Sequence, residues 1–305
     1  MKQEDKSWEK QIKQGFLVEE LKSWEKFIDF VKNEKRCWPT LIFRGQANAE
    51  WKLLSRLDRL ENKYKTKPNL SGGVPDEFDC PRVDRDIHLQ RFRELALDKI
   101  SKDVKNDDVL QAIAQHHGLA TPLLDWTYSP FVALFFTFEE EKCWCEENGI
   151  AVFKEPDKRA VFALTHHLLD EQKVDKEKSK AISDLVQPFS APGYGNYRAS
   201  NQAGVFLKMP AKQDLESYVK EKYKDETYRN PCADGSGNPH PALILRKFEM
   251  PNKERVECLR FLDQMNINRA ALFPDLDGVA KYINDLWEIN FDKALGYIEQ
   301  LQIKP

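Results

Sequence analysis

The stretch from Phe131 to Glu139 reads Phe-Val-Ala-Leu-Phe-Phe-Thr-Phe-Glu and offers no polar face. A helix with that pattern cannot rest on a surface, so it is expected at the centre of the fold with other elements packed around it. Ser129 is a good N-cap for it, and Pro130 suits the first turn, where a missing N–H costs nothing. Upstream, Asn106 or Asp107 is expected to cap a helix that runs through His117, with Gly118 at the C′ position. Between these two helices lies a tight polar connection holding Thr121, Asp125, Trp126, Thr127, Tyr128 and Ser129. With His116 and His117 beside them, these residues read as one wall of a ligand site.

Composition narrows the class. The chain has 305 residues, enough for a sizeable core in one large domain or two small ones. Hydrophobic residues make up 41% and charged residues 32%, the balance of a globular protein. The formal net charge of -3 excludes a whole-chain basic field and leaves room only for a local patch. No apolar run reaches the ~20 residues of a membrane helix, and Met-Lys-Gln-Glu-Asp-Lys lacks a signal peptide's apolar region. A cytoplasmic protein with no membrane partner is expected. The six cysteines are scattered, and the single residue between Cys143 and Cys145 is poor zinc-knuckle spacing, so reduced thiols and no metal site are expected.

Apolar residues at Phe16, Leu17, Leu21, Trp24, Phe27, Ile28 and Val31 have helical spacing, which predicts one amphipathic helix over 16–34. Leu41–Phe43 reads as a short buried strand and Trp51–Leu54 as another. Helices are expected over 56–65 and 83–100, with a loop over 66–82. Strands are expected at 150–153, 160–164, 205–209 and 242–248. Helices are expected at 165–187, 215–224, 252–265, 275–289 and 292–301, and a turn-rich loop at 188–201. Strands and helices mix without a regular β-α-β beat, which argues for α+β: small mixed or antiparallel sheets flanked by helices, with helical N- and C-terminal segments. The expected division is a helical segment over 1–36, a main domain over 37–290 and a terminal helix over 291–305.

Several residues could carry chemistry. Arg44 ends a buried strand, where a guanidinium suits bidentate contact with phosphate or carboxylate; pairing with an internal acid is the plainer role. Gly45 allows close approach of a ligand or of another backbone. His116 and His117 sit at a helix C-terminus, which favours a protonated ring; capping is their plainer role. Asp125 could hold Arg44 or a histidine. Thr127 and Ser129, two apart, could reach one ligand, and the helix N-terminus after them favours an anion. Gln202 precedes a strand, with a turn role as its plainer reading. Asp275 and Asp277 are too few for a calcium loop, and one of them is expected to cap the last helix. The sequence lacks a P-loop, a dinucleotide fingerprint, a Gly-x-Ser-x-Gly elbow and a His-Glu-x-x-His motif.

The block Gln115-His-His-Gly-Leu-Ala-Thr-Pro-Leu-Leu-Asp-Trp-Thr127, with Ser129-Pro130 and Ala133–Phe136, resembles the FRG domain family. Phe43-Arg44-Gly45-Gln46, Trp51-Lys52-Leu53 with Arg56, Asn201–Phe206 and Ala271–Gly278 extend the resemblance over roughly 40–285, with core motifs at 41–56, 115–138, 201–207 and 271–278. A weaker resemblance is to ADP-ribosyltransferases of the Arg–Ser–Glu type. It implies an ADP-ribosyltransferase-like core in which Arg44 matches the arginine, Thr127-Tyr128-Ser129 the second motif and Gln202-Ala203-Gly204 the third. Gly204 stands where that family has its catalytic glutamate. The implied activity is transfer or hydrolysis of ADP-ribose from NAD, in a toxin or phage-defence setting. Arg44, His117, Asp125 and Gln202 would act in catalysis. Arg44, Gly45, Gln46, Thr127, Tyr128, Ser129, Tyr194 and Tyr197 would bind the nucleotide. A protein or nucleic-acid acceptor, or a neutralising partner protein, is implied with it. A nucleotide- or protein-sensing module without chemistry, and a histidine-dependent ribonuclease, remain as alternatives.

Overall fold

One strand sets the architecture. In β6 (Lys158–Thr165) every residue from Arg159 to Leu164 is buried, which requires cover on both faces of the sheet. The computed structural model describes residues 15–33, 41–65, 85–100, 104–147, 150–165, 186–187, 200–208, 213–222, 227–228, 240–241 and 244–300. The other strands are β1 (Phe16–Glu20), β2 (Leu41–Gln46), β3 (Leu123–Thr127), β4 (Cys143–Glu147), β5 (Ile150–Lys154), β7 (Val186–Gln187), β8 (Gly204–Lys208), β9 (Thr227–Tyr228), β10 (His240–Pro241) and β11 (Leu245–Pro251). The helices are α1 (Trp24–Asn33), α2 (Arg56–Lys65), α3 (Arg85–Leu95), α4 (Asp107–His116), α5 (Pro130–Phe138), α6 (Leu215–Lys222), α7 (Arg255–Gln264), α8 (Arg269–Leu272) and α9 (Leu276–Gln300).

Seven strands form one sheet in the order β1-β11-β6-β2-β3-β8-β7, and β4-β5 and β9-β10 form two small hairpins. All pairs in the large sheet are antiparallel except β1 with β11, which makes the sheet mixed. One face buries Ile42, Leu124, Trp126, Phe162, Val205 and Leu207 under Leu215, Tyr218 and Val219 of α6. The other buries Phe43, Val161, Ala163 and Phe248 under α1, α5, α7 and Ile289 of α9. The alternation of Ile42 with Phe43, and of Phe162 with Val161, follows from the period of two along a strand. The α+β class is as the sequence implied.

The apolar segment lies where its pattern requires. All residues of α5 except Phe131 and Phe136 are buried, and Ser129 Oγ accepts from Val132 N–H at 3.3 Å as the N-cap. Each such Phe or Leu contributes on the order of 1.5–3 kcal/mol by leaving water. The helix presses so closely on β2 that a Cβ at Gly45 would stand 2.1 Å from Ala133 O and 2.6 Å from Thr137 Oγ1. Gly45 is therefore the residue that lets helix backbone meet strand backbone. Arg159, fully buried, ties down the C-terminal end of α5. Its Nη1 donates to Thr137 O at 2.8 Å, its Nη2 to Glu141 O at 2.9 Å and its Nε to Asn252, while the guanidinium covers the Phe138 ring at 5.6 Å.

Several expectations are corrected. Over 16–33 the expected single helix is a strand followed by a helix: β1 pairs with β11 from the far end of the chain, a partner that local spacing cannot reveal. Trp51–Leu54 is irregular, and Leu53 spends its carbonyl on Leu215 N–H of α6. The polar connection at 123–127 is strand β3, in the middle of the sheet. Cys143–Glu147 is a strand, and Arg269–Leu272 a short helix capped by Asn268. The last two helices are one, α9, in which Asn290 Nδ2 donates to Leu286 O one turn back at 2.9 Å. Consequently β1 belongs to the central sheet, and α9 runs through the boundary drawn at 290–291. The helix expected at 165–187 and the loops at 66–82 and 188–201 fall mostly outside the described residues.

Candidate functional site

Three remote segments meet on adjacent strands. Phe43 of β2 pairs with Thr127 of β3, and Thr127 pairs with Gly204 of β8. Arg44 Nη1 donates to Asp125 O at 2.5 Å. Thr127 Oγ1 donates to Gln202 O at 2.6 Å and accepts from Ser129 N–H at 3.0 Å. Gln202 Nε2 in turn donates to Leu272 O at 3.1 Å, and Asn201 Nδ2 to Ala271 O at 2.8 Å, which ties the 271–273 segment to the same corner. Ala203 holds φ at 46°, a left-handed conformation that costs a non-glycine residue about 1 kcal/mol. In return, Ala203 O accepts from Tyr128 N–H at 3.0 Å.

Arg44, Gln46, Asp125, Trp126, Thr127, Gln202 and Gly204 all line one cleft of about 690 Å3. Three guanidiniums line it with Asp125: Arg44 and Arg59 act on that carboxylate, and Arg56 acts on Arg59. Arg56 and Arg59 lie one turn apart on α2 and reach the cleft. The acids of α2 are spent elsewhere, Asp58 and Glu61 pairing with Arg85. Burial lowers Arg44 to about 10, against the pull of Asp125 and with repulsion from Arg59; it stays cationic at neutral pH. Burial also raises Asp125, opposed by Arg44 and by the hydrogen bond from Gln115 Nε2 at 2.6 Å. Asp125 nevertheless exposes part of its surface to the cleft that it lines. Thr121 orients Gln115 by donating to its Oε1.

Two buried polar atoms of lining residues lack a partner, Arg44 Nε and Gln46 Oε1. An unpaired buried donor or acceptor costs about 1–3 kcal/mol. The combination of cationic, donor and acceptor groups suits a phosphorylated ligand with further polar groups.

The same lining holds Glu139, Glu140, Lys142 and two exposed aromatic rings. Glu139, the C-cap of α5, is pushed up to about 7 by burial, with Arg269 pulling the other way. Arg269 sits 2.8 Å from Glu139, 3.1 Å from Glu140 and 2.7 Å from Asp285, so one cation is divided among three acids. Trp144 and Phe153, on the outer face of the β4-β5 hairpin, complete that wall.

The remaining candidates separate. His116 lines the cleft, whereas His117, the C-cap of α4, turns to a second cavity of about 710 Å3 with His88, Arg91 and Lys99. The catalytic placement of His117 is corrected accordingly: one residue further round the helix end is about 100° of rotation. Tyr128 and Ser129 do not line the cleft, and Ser129 is occupied as a cap. Tyr194 and Tyr197 lie outside the described residues. Sequence reasoning missed Arg59, Glu139, Trp144 and Phe153. The signal for Arg59 was present, since Ser55 caps α2 and Arg56-x-x-Arg59 then share a face. Among the described residues no group of three His, Cys, Asp or Glu could hold a metal ion, and no helix is long and apolar enough to cross a membrane.

No curated protein and no solved structure matches the chain. The family model of the FRG domain matches residues 39–143 of the 305, and that span supplies Arg44, the α2 arginines, Gln115, Asp125 and Thr127.

Proposed function

We propose that the cleft binds NAD or a related nucleotide and that the protein transfers or hydrolyses its ADP-ribose. The observation that carries this reading is that Arg44, Arg56 and Arg59 line one cleft with Asp125, with Arg44 Nε and Gln46 Oε1 unpaired among the same lining residues. Three cations against one anion favour a ligand bearing two or more phosphate charges, and guanidiniums bind these bidentately. The adjacency of β2, β3 and β8 supports an ADP-ribosyltransferase-like core, since the strands carrying the three motif positions lie side by side.

In the reaction the bond from nicotinamide to ribose C1′ breaks, and nicotinamide leaves with the bonding electrons. The acceptor nucleophile, or water, bonds to C1′ and gives up its proton to a base. Our candidate for that base, and for the charge that opposes the cationic ribose, is Asp125. An acceptor protein or nucleic acid, a neutralising partner, and a toxin or phage-defence setting belong to this reading.

Gly204, across from Thr127 and lining the cleft, favours a second reading. No carboxylate stands at that position, and losing such electrostatic help typically costs a factor of about a hundred or more in rate. A module that binds the nucleotide and signals its presence needs no acid there.

Titration calorimetry with NAD, run beside an assay for released nicotinamide, separates the readings. Binding and release in the wild type, both lost in Arg44→Ala, is the expected result. Saturable binding without release supports the sensing module. Absence of both removes the nucleotide reading altogether.

A further inference from the structure

The β4-β5 hairpin carries a feature that the motifs do not account for. Its inner face is closed: Cys143 and Cys145 point inward with Ala47 and against Trp51, and Asn48 Nδ2 reaches Cys145 Sγ at 3.5 Å. Trp51 Nε1 pins the strand by donating to Trp144 O at 2.9 Å. The outer face holds the directly paired residues Trp144 and Phe153, with ring centroids 5.4 Å apart. These rings are 60% and 57% exposed, although both line the cleft. A cross-strand aromatic pair steadies a hairpin by itself. Presenting two large rings to the same volume as three arginines goes further, because planar bases stack on such rings while their phosphates seek cations.

We infer that the outer face of this hairpin is a nucleobase platform. A base stacks on Trp144 and Phe153 while the attached phosphates lie against Arg44, Arg56 and Arg59. The inference rests on reading the cleft as a nucleotide site and adds where the base goes. The base belongs either to a free dinucleotide or to a nucleotide in a single strand, and the chemistry of stacking is the same for both.

The test uses the full chain with ADP-ribose, a single-stranded oligoadenylate and, as a base-free probe, inorganic pyrophosphate. Binding is followed by calorimetry and by tryptophan emission. Trp144→Ala and Phe153→Ala are at exposed positions, and Trp144→Phe keeps a ring. Stacking one base is worth roughly a five- to 150-fold change in affinity. Each alanine variant is expected to weaken ADP-ribose or the oligonucleotide by a factor in that range and leave pyrophosphate unchanged. Trp144→Phe should restore most of the affinity while reducing the ligand-induced quenching of emission, to which Trp51 and Trp126 of the same lining still contribute. Loss confined to ADP-ribose makes the free dinucleotide the source of the base, and loss confined to the oligonucleotide makes it a strand. Equal affinity of wild type and alanine variants for both base-bearing ligands overturns the platform and leaves the nucleotide cleft standing. Failure of pyrophosphate, ADP-ribose and the oligonucleotide to bind at all overturns both.

Discussion

Gly45 tests whether a motif glycine serves the ligand or the fold. Replacing it with alanine places a Cβ 2.1 Å from Ala133 O, 2.6 Å from Thr137 Oγ1 and 2.7 Å from Thr137 N. Real Cβ atoms essentially never come within 3.0 Å of such neighbours, so α5 has to retreat by close to an ångström or β2 has to bend. Neither can move freely. Ala133, Leu134 and Phe138 are fully buried on the helix, and β2 is held between β6 and β3. Overpacking costs about 1–3 kcal/mol, and a clash with backbone belongs at the upper end. The reduced freedom of the unfolded chain returns only about 0.4–1 kcal/mol. A net loss of about 2 kcal/mol or more lowers the melting temperature by roughly 4–8 °C, at 2–4 °C per kcal/mol for a chain of this size. Reversible thermal melting followed by circular dichroism measures it, with NAD titration on the same samples. Unchanged melting together with lost nucleotide binding would refute the packing argument and return Gly45 to the ligand.

Arg159→Met keeps the bulk of a buried side chain but strips donors from Thr137 O, Glu141 O and Asn252. Orphaned acceptors cost about 1–3 kcal/mol each, so denaturant unfolding should show a loss of about 3 kcal/mol or more; a loss under 1 kcal/mol sinks the account of how α5 ends. Glu139 makes a pH prediction. Its folded value of about 7 exceeds the ordinary 4.5, so between those values the folded state holds a proton that the unfolded chain has released. Its contribution to stability therefore falls as pH rises from about 4.5 to about 7 and is constant above that, a change of about 3 kcal/mol. Glu139→Gln should flatten that slope in urea unfolding at pH 5 and pH 8, and parallel pH profiles for variant and wild type would contradict it.

What could be read from the sequence was whatever depends on near neighbours. The α5 segment reveals its burial because no face of it is polar, and Asn106 and Ser129 reveal their caps because capping spans three residues. β1 and β3 stayed hidden for one reason: their partners are distant in the chain. Phe16-Leu17-Val18 has no local mark that distinguishes an edge strand from a helix's first turn until Leu245–Glu249 lies beside it. Leu123–Thr127 contains an Asp and follows a proline, which suggests a turn, and becomes a strand only through β8 and β2. The site divides in the same way. Arg44, Asp125, Thr127 and Gln202 lie in dense local motifs and share the cleft. Trp144, Phe153 and Glu139 lie in ordinary-looking stretches, and only the packing of the hairpin and of α9 brings them to the wall.

Two groups of residues in the cleft lining obey one electrostatic rule with opposite results. Near β2, α2 gives its acids to Arg85 and its arginines to the cleft, so the single carboxylate of Asp125 is outnumbered. Near α9, Arg269 is outnumbered by Glu139, Glu140 and Asp285, and the most buried of the three carries its proton to about neutral pH. A phosphorylated ligand with its anionic part at the arginines would share the cleft with an acid pushed up to about 7. The acid missing at Gly204 is not the only carboxylate that could serve chemistry there. Glu139 lines the same volume with a pKa suited to proton transfer. If a catalytic carboxylate exists in this protein, the choice is between Asp125, raised by burial against the pull of Arg44, and Glu139, pushed up to about 7 beside Arg269. Those two environments predict opposite limbs of a pH–rate profile: Asp125 needs its charge and loses activity on acidification, whereas Glu139 acting as an acid loses activity as pH rises through about 7.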